Sequence, residues 1–280
     1  MTTAFRDLID PPRLTDVVDV GANPIDGAPP YSPLLTAGLC RVTGFEPQPE
    51  ALRELERRKG PAERYLPYAV GDGQQHTLHI CRSSGMTSLF EPDPEALGLF
   101  EALAPHGEVI DRVPLPTHRL DDIGEIDHID FLKIDIQGGE LQAFEGGRSK
   151  LSQAVAIQTE VSFVKLYRNQ PSFGDVDVVL RELGFTVHCP VAIKNWPIGS
   201  YRVNEDPRWG VRQALEADFV YVRDYTHPDT MTDEQLKHLA LIAHHCYGSY
   251  DLALLCVKLL EQRGSVETGS QERYLALRPI

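Results

Sequence analysis

FLKIDIQGGE, from Phe131 to Glu140, decides how this chain is read. An apolar run stops at an acid and then at two glycines. A strand buried on both faces has this form when it delivers polar groups to the carboxyl edge of a parallel sheet. Two earlier segments, VVDVGAN (Val17 to Asn23) and GFEP (Gly44 to Pro47), have the same form, and Val155 to Glu160 again closes on an acid. Ligands of open α/β sheets bind outside that edge. Several such endings in chain order carry far more weight than one.

Working outward, strands are expected at Val17–Val20, Arg41–Phe45, Tyr65–Val70, Thr77–Cys81, Val109–Pro114, Ile129–Ile134, Val155–Glu160, Phe185–Cys189 and Asp218–Val222. Helical segments lie between many of them: Leu34–Gly38, Pro49–Lys59, Pro94–Ala104, Gly138–Phe144 and Phe173–Leu183. That alternation implies βαβ crossovers and an α/β fold, a mostly parallel sheet with helices on both faces. After Pro228, Thr232 is an N-cap with Asp233, Glu234 and Gln235 in the first turn. Two helices, about 232–246 and 249–263, form a hairpin broken near Gly248. The second is apolar nearly all round and must pack on something, either the main domain or a second subunit. The division expected is a domain over 1–227 and a helical extension over 228–280, with a homodimer through the extension.

Composition excludes some classes. The 280 residues suit one large α/β domain with a small appendage. The net charge of −14, from 41 acids against 27 Lys plus Arg, argues against nucleic acid and anionic membranes as partners. Five widely spaced cysteines form no CxxC pair, so they are expected as reduced thiols in a cytoplasmic protein. No long apolar run signals a leader or a membrane span.

The residues that could bind or react cluster at the strand ends. In VDVGAN, Asp19 stands one residue before the strand end and Gly21 at the turn, where a missing Cβ permits close backbone approach. GxGxxG is absent, which weakens a nicotinamide reading, because a pyrophosphate needs several glycines opening a helix. Glu46 can accept both hydroxyl protons of a ribose, or it is a surface acid favoured by the dipole of the helix after Pro47. Asp72, in AVGDG, ends a third strand and either meets an adenine amine or closes a turn. Lys133, Asp135 and Gln137 alternate, so they share one face. A charged pair in so apolar a run must pair internally, bind something or sit at the open edge. Glu160 is expected at the same edge, walling a cleft with Asp135 that could orient hydroxyls, act as a base or hold a divalent cation. No metal site is assigned. His118 is a weak base candidate. Loops 24–33, 83–95 and 163–173 are expected to shape an acceptor pocket.

Taken together, VVDVGAN, GFEP, YAVGDG, GMTSLF, THRLDDI, DFLKIDIQGGEL and TEVSF resemble the FkbM family of methyltransferases over about residues 15–190. The resemblance implies a class I methyltransferase fold with one antiparallel edge strand and S-adenosylmethionine (SAM) as cofactor. It also implies O-methylation of a hydroxyl on a sugar, glycan or small metabolite. By the same resemblance, Asp19, Gly21, Ala22 and Asn23 match the glycine-rich cofactor loop. Glu46 and Pro47 match the ribose position, Asp72 and Ser88 the surroundings of the adenosine, and Lys133 and Asp135 the segment beside the transferred methyl. The chain departs from the family pattern in PIDGAPPYSPLL after GAN, and in QGGE where EGAE is usual. Two alternatives remain at this stage: a nicotinamide-dependent oxidoreductase on the same sheet, and a non-catalytic homologue that uses its tail for assembly.

Overall fold

A computed structural model describes residues 2–23, 27–201 and 209–277. In chain order the elements are α1 (Thr2–Ile9), β1 (Thr15–Val20), α2 (Ser32–Thr36), β2 (Cys40–Phe45), α3 (Pro49–Arg58), β3 (Glu63–Leu66), β4 (Ala69–Val70), β5 (Gln75–Cys81), α4 (Pro94–Gly98) and β6 (Val109–His118). They continue with β7 (Phe131–Ile134), α5 (Glu140–Glu145), α6 (Arg148–Leu151), β8 (Ala156–Ser162), α7 (Phe173–Glu182), β9 (Phe185–Asn195), β10 (Ala214–Arg223), α8 (Asp233–Tyr247), α9 (Tyr250–Gln262) and α10 (Ser270–Leu277).

The main sheet has seven strands in the order β3-β2-β1-β7-β8-β10-β9. The first five are parallel, and β10 runs antiparallel to both β8 and β9. This is the class I methyltransferase sheet. One expected detail changes: the reversed strand is second from the edge, and β9 forms the edge itself. β9 also runs past Cys189 to Asn195 through Pro190, where the register against β10 shifts. A proline is tolerated there because an edge strand leaves half its N–H groups unpaired and a bulge absorbs the rest.

The expected single strand Tyr65–Val70 is two. Pro67 interrupts the ladder, since it offers no N–H. β3 ends at Leu66 in the main sheet, while β4 pairs with β6 in a separate three-stranded sheet, β4-β6-β5. This small sheet stands over the carboxyl edge of the large one, and Leu78 and Leu115 from it face the cavity described below.

Helices cover both faces. On one, Ala143, Phe144, Leu151, Val176 and Leu180 from α5, α6 and α7 pack on Val18, Leu132 and Ile157. On the other, Leu239, Leu241, Leu252, Val257 and Leu260 join Val17, Val42, Phe131 and Val220 in one core with Phe5, Ile9 and Leu34. Residues 228–277 are thus a structural layer of the sheet and contain a third helix, α10, that the sequence reading lacks. Each of those buried Leu or Val side chains contributes roughly 1.5–3 kcal/mol, so α8 and α9 are not detachable from the domain. The apolar girth of α9 is accounted for within the chain. The start and stop of α8 follow expectation: the Thr232 hydroxyl accepts from the Gln235 N–H at 3.2 Å, the Gln235 side-chain oxygen accepts from the Thr232 N–H at 2.9 Å, and Gly248 closes the helix at φ +61°. All five cysteines are free thiols. No helix among the described residues is long and apolar enough to cross a membrane.

Candidate active site

Parallel pairing sets Asp19 of β1 beside Lys133 of β7, and Lys133 beside Gln158 of β8. The Lys133 ammonium donates to the Gly21 carbonyl at 3.0 Å and lies 3.3 Å from one Asp19 oxygen. The other Asp19 oxygen accepts from the Tyr31 hydroxyl at 2.6 Å. Burial raises the Asp19 carboxyl, with Lys133 and Tyr31 opposing it. Burial alone would lower Lys133, but the charges of Asp19 and Asp135 outweigh it and the ammonium is held above its ordinary range. Asp19 and Lys133 therefore brace the crossing of β1 and β7. Tyr247, at the end of α8, donates to the Gln158 side chain at 2.9 Å, so the C-terminal layer reaches the site as well.

Gly21 has φ +77°, and a Cβ there would overlap the Asp135 carbonyl oxygen. Only glycine satisfies both constraints. The N–H groups of Gly21 and Ala22 both donate to the Phe45 carbonyl, at 3.1 and 3.0 Å, which ties the first turn to the end of β2. Glu46 follows directly. It is buried, and the backbone N–H groups of Gln48, at 2.8 Å, and of Asn23 hold its carboxylate. Burial nevertheless pushes its carboxyl above the usual range.

A cavity of about 510 Å³ opens over these strand ends. Of the residues the sequence singles out, Asp19, Gly21, Ala22, Asn23, Glu46, Pro47, Ser88, Lys133 and Asp135 line it. Phe45, Tyr68, Leu78 and Leu115 give its cofactor end apolar walls. At the other end stand Gln158, Asp218, Val191 and Lys194.

Two singled-out residues are placed elsewhere. Asp72 is outside the lining, although Tyr68, Ala69 and Val70 just before it contribute to the wall. Its carboxylate accepts from the Gln74 N–H at 2.9 Å and the Thr117 hydroxyl at 3.2 Å, and meets His76 at 2.8 Å. That is the turn-closing role. Glu160 is buried behind the lining instead of walling the cleft. Gln137 donates to one of its oxygens at 3.2 Å and Lys194 lies 3.0 Å from the other. Burial, then Asp135 and Glu216, raise its carboxyl well above the ordinary range. His118 packs against Tyr68 with the rings tilted and their centroids 4.7 Å apart, and it does not line the cavity.

The loops divide similarly. Gly27 to Pro30 and Ser84 to Leu89 contribute to the wall, while 24–26 lie outside the described residues. Segment 163–173 does not line the cavity; Tyr167 and Gln170 are buried, the Tyr167 hydroxyl 3.4 Å from the Gln137 side-chain oxygen and Gln170 donating to the Ser162 hydroxyl at 2.7 Å. Among the described residues, no three His, Cys, Asp or Glu side chains are grouped to hold a metal ion. Sequence reading missed Tyr31, Gln158, Lys194 and Asp218. Asp218, on a strand already recognised, could have been found as another acid near a strand end. Lys194 lies beyond Pro190, where the expected strand had already stopped.

The sequence matches the family described as Methyltransferase FkbM domain over residues 19–187, more than half of the chain. A curated relative, 2-O-methyltransferase NoeI of Sinorhizobium fredii (strain NBRC 101917 / NGR234), is 24% identical over 166 residues, covering 55% of this chain and 66% of NoeI. The match thus spans slightly less than two thirds of that relative. Magnesium protoporphyrin IX methyltransferase (ChlM) of Synechocystis PCC 6803, solved with bound SAM, is 10% identical at a TM-score of 0.38, covering 80% of this chain and 79% of its own. Precorrin-6y C5,15-methyltransferase of Geobacter metallireducens GS-15 is 11% identical at a TM-score of 0.37, covering 79% and 87%. These structural likenesses are loose. The family match takes in both strand ends that carry Gly21 and Glu46 and the loop that carries Asp135, and the sheet order agrees with it: the chain belongs to the FkbM family of SAM-dependent methyltransferases.

Proposed function

We propose that the protein methylates a hydroxyl group on a sugar, glycan or small metabolite. The observation that carries this reading is one cavity with Glu46 at one end and Asp135 further along its wall. The residues suit the cofactor. Glu46 is a carboxylate fixed by backbone donors where a ribose diol would be held, and aliphatic and aromatic walls beside it fit a flat base. When bound, SAM supplies a methyl group on a positively charged sulfur.

The chain's own residues account for the remaining chemistry. Asp135 lies in the cavity wall, where a carboxylate accepts the proton that an acceptor hydroxyl loses as its oxygen is alkylated. Lys133 ties the Gly21 turn to β7, which fixes the two strand ends relative to each other and supplies positioning. Gln158 and Asp218, across the cavity from Glu46, offer acceptors for further hydroxyls. The relative named as a 2-O-methyltransferase supports a hydroxyl acceptor.

Calorimetry with SAM, followed by transfer of labelled methyl to a panel of sugars and hydroxylated metabolites, tests this. SAM binding that Glu46→Ala removes, together with labelled ether product that Asp135→Asn removes, is the expected result. Binding without transfer to any hydroxyl would favour the non-catalytic alternative. Absence of SAM binding by the wild type would overturn the site assignment.

A further inference from the structure

Gln137 has a cost and a set of contacts that the scheme above leaves unused. Its φ is +57°, one of three positive values at residues other than glycine among the described residues. A left-handed backbone costs a side-chain-bearing residue about 1–2 kcal/mol, and glutamine is not among the short polar residues that ease it. Such outliers persist when the surroundings hold them. Here the Ser88 hydroxyl donates to the Gln137 carbonyl at 2.6 Å, and Gly138 continues the turn at φ +104°. Glu140 accepts from the Ile136 N–H at 2.9 Å and pins the loop from behind.

The turn brings the Gln137 amide between two acids. Its nitrogen donates to Asp135 at 2.9 Å and to Glu160 at 3.2 Å, while its oxygen faces the Tyr167 hydroxyl at 3.4 Å. Two carboxylates and one hydroxyl leave only this amide orientation with every pairing made. Other charged groups act on the pair from every packed element. Lys133 and Glu140 lie along the same segment, Asp19 on β1, Lys194 on β9, and Glu216 and Asp218 on β10. Lys194 stands between Glu160 and Glu216, at 3.0 and 2.9 Å, so one cation there serves two acids.

We propose that Gln137 is a positioning residue: its amide stands between the Asp135 and Glu160 carboxyls and holds Asp135 directed into the cavity. Without those two N–H donors, the acids would face each other and hold a proton between them. Burial already holds the Glu160 carboxyl well above its ordinary range, which makes it the acid that keeps a proton when one is shared. The inference rests on the reading of Asp135 as proton acceptor, and two measurements separate its failure from the failure of that reading.

The first is kinetic. Gln137→Gly relieves the backbone and removes the amide. A melting temperature equal to or above the wild type is expected. So are a kcat about tenfold lower at neutral pH, a KM for SAM within about twofold, and an acid limb of kcat/KM about one pH unit higher. A marked loss of melting temperature, or an unmoved acid limb with kcat intact, would overturn the proposal. The second needs no activity. Gln137→Glu puts a third acid beside the other two, and burial there raises its folded-state pKa above its unfolded value. Stability is then lost as pH rises from the unfolded value through the folded one. The melting deficit against wild type should widen between pH 5 and pH 8, and it should shrink in an Asp135→Asn background. A deficit that is independent of pH and of Asp135 sinks the idea even if no acceptor has been found. A wild type that transfers no methyl group, with this thermal cycle as expected, refutes the reaction and leaves the hold of Gln137 on the two acids standing.

Discussion

The cofactor end of the cavity and the acceptor end are built in different ways. At the first, Gly21 and Glu46 sit at the ends of neighbouring parallel strands and are held by backbone groups: the Gly21 N–H donates to the Phe45 carbonyl, and Glu46 accepts from the Gln48 and Asn23 N–H groups. At the second, Gln158, Asp218, Val191 and Lys194 come from β8, β10 and β9 and are brought together by pairing across a reversed strand and a bulged edge. A local turn repeats its residues wherever it is used, so it leaves a motif. Side chains aligned by long-range register leave none. One cavity thus joins a wall held by backbone groups at the ends of parallel strands to a wall of side chains aligned across a reversed strand.

The sharpest way to break that contrast is Gly21→Ala. The added methyl meets the Asp135 carbonyl oxygen and the backbone sits at positive φ, so loss of SAM binding and of most folding stability is expected in calorimetry and denaturant titration. Glu46→Ala comes next. Two hydrogen bonds to a charged group are worth roughly 1.5–3 kcal/mol each, so SAM affinity should fall about a thousandfold or more while the melting temperature changes little.

Glu140 probes the loop that joins the two ends. Burial pushes its carboxyl up to about 7 against an ordinary 4.5, with the Ile136 N–H opposing. A raised acid favours the folded state when protonated, so its contribution to stability declines as pH climbs from about 4.5 through 7, by roughly 3 kcal/mol at most. Glu140→Gln should flatten that slope when denaturation midpoints at pH 5 and pH 8 are compared. A slope that persists in the variant would place its origin elsewhere.

Asp218→Asn tests the acceptor end alone: KM for the hydroxyl substrate should rise about tenfold and SAM affinity should stay within about twofold. A larger effect on the cofactor would merge the two ends into one. Asp72→Ala should change SAM affinity least, less than about twofold, because the carboxylate serves its own turn. A tenfold loss would return Asp72 to the cofactor site.

Much of the fold was legible in the chain, for reasons that single elements show. β1 and β7 are short apolar runs with all or nearly all residues buried, and a strand covered on both faces has little choice of composition. Thr232 with Gln235 announced the start of α8, since the capping box is a local exchange of hydrogen bonds. The division of Tyr65–Val70 into β3 and β4 came from Pro67, which offers no N–H to a ladder; Tyr68, Ala69 and Val70 still line the cavity, while the Asp72 carboxylate bonds within its own turn. Glu160 was read correctly as a strand-end acid, but composition does not say whether an end opens on the cavity or lies behind a glutamine.

By itself, then, the sequence determined the parallel core, the turn at Gly21 and the acid at Glu46, because a buried apolar run that closes on a glycine or an acid is written in a few consecutive residues. Only the tertiary structure decided that α8 to α10 form a layer of the sheet, that β10 is inserted in reverse, and that Gln137 comes between Asp135 and Glu160. Those outcomes depend on which distant surfaces meet, and pairing across more than twenty residues of chain is set by the packing of the whole core.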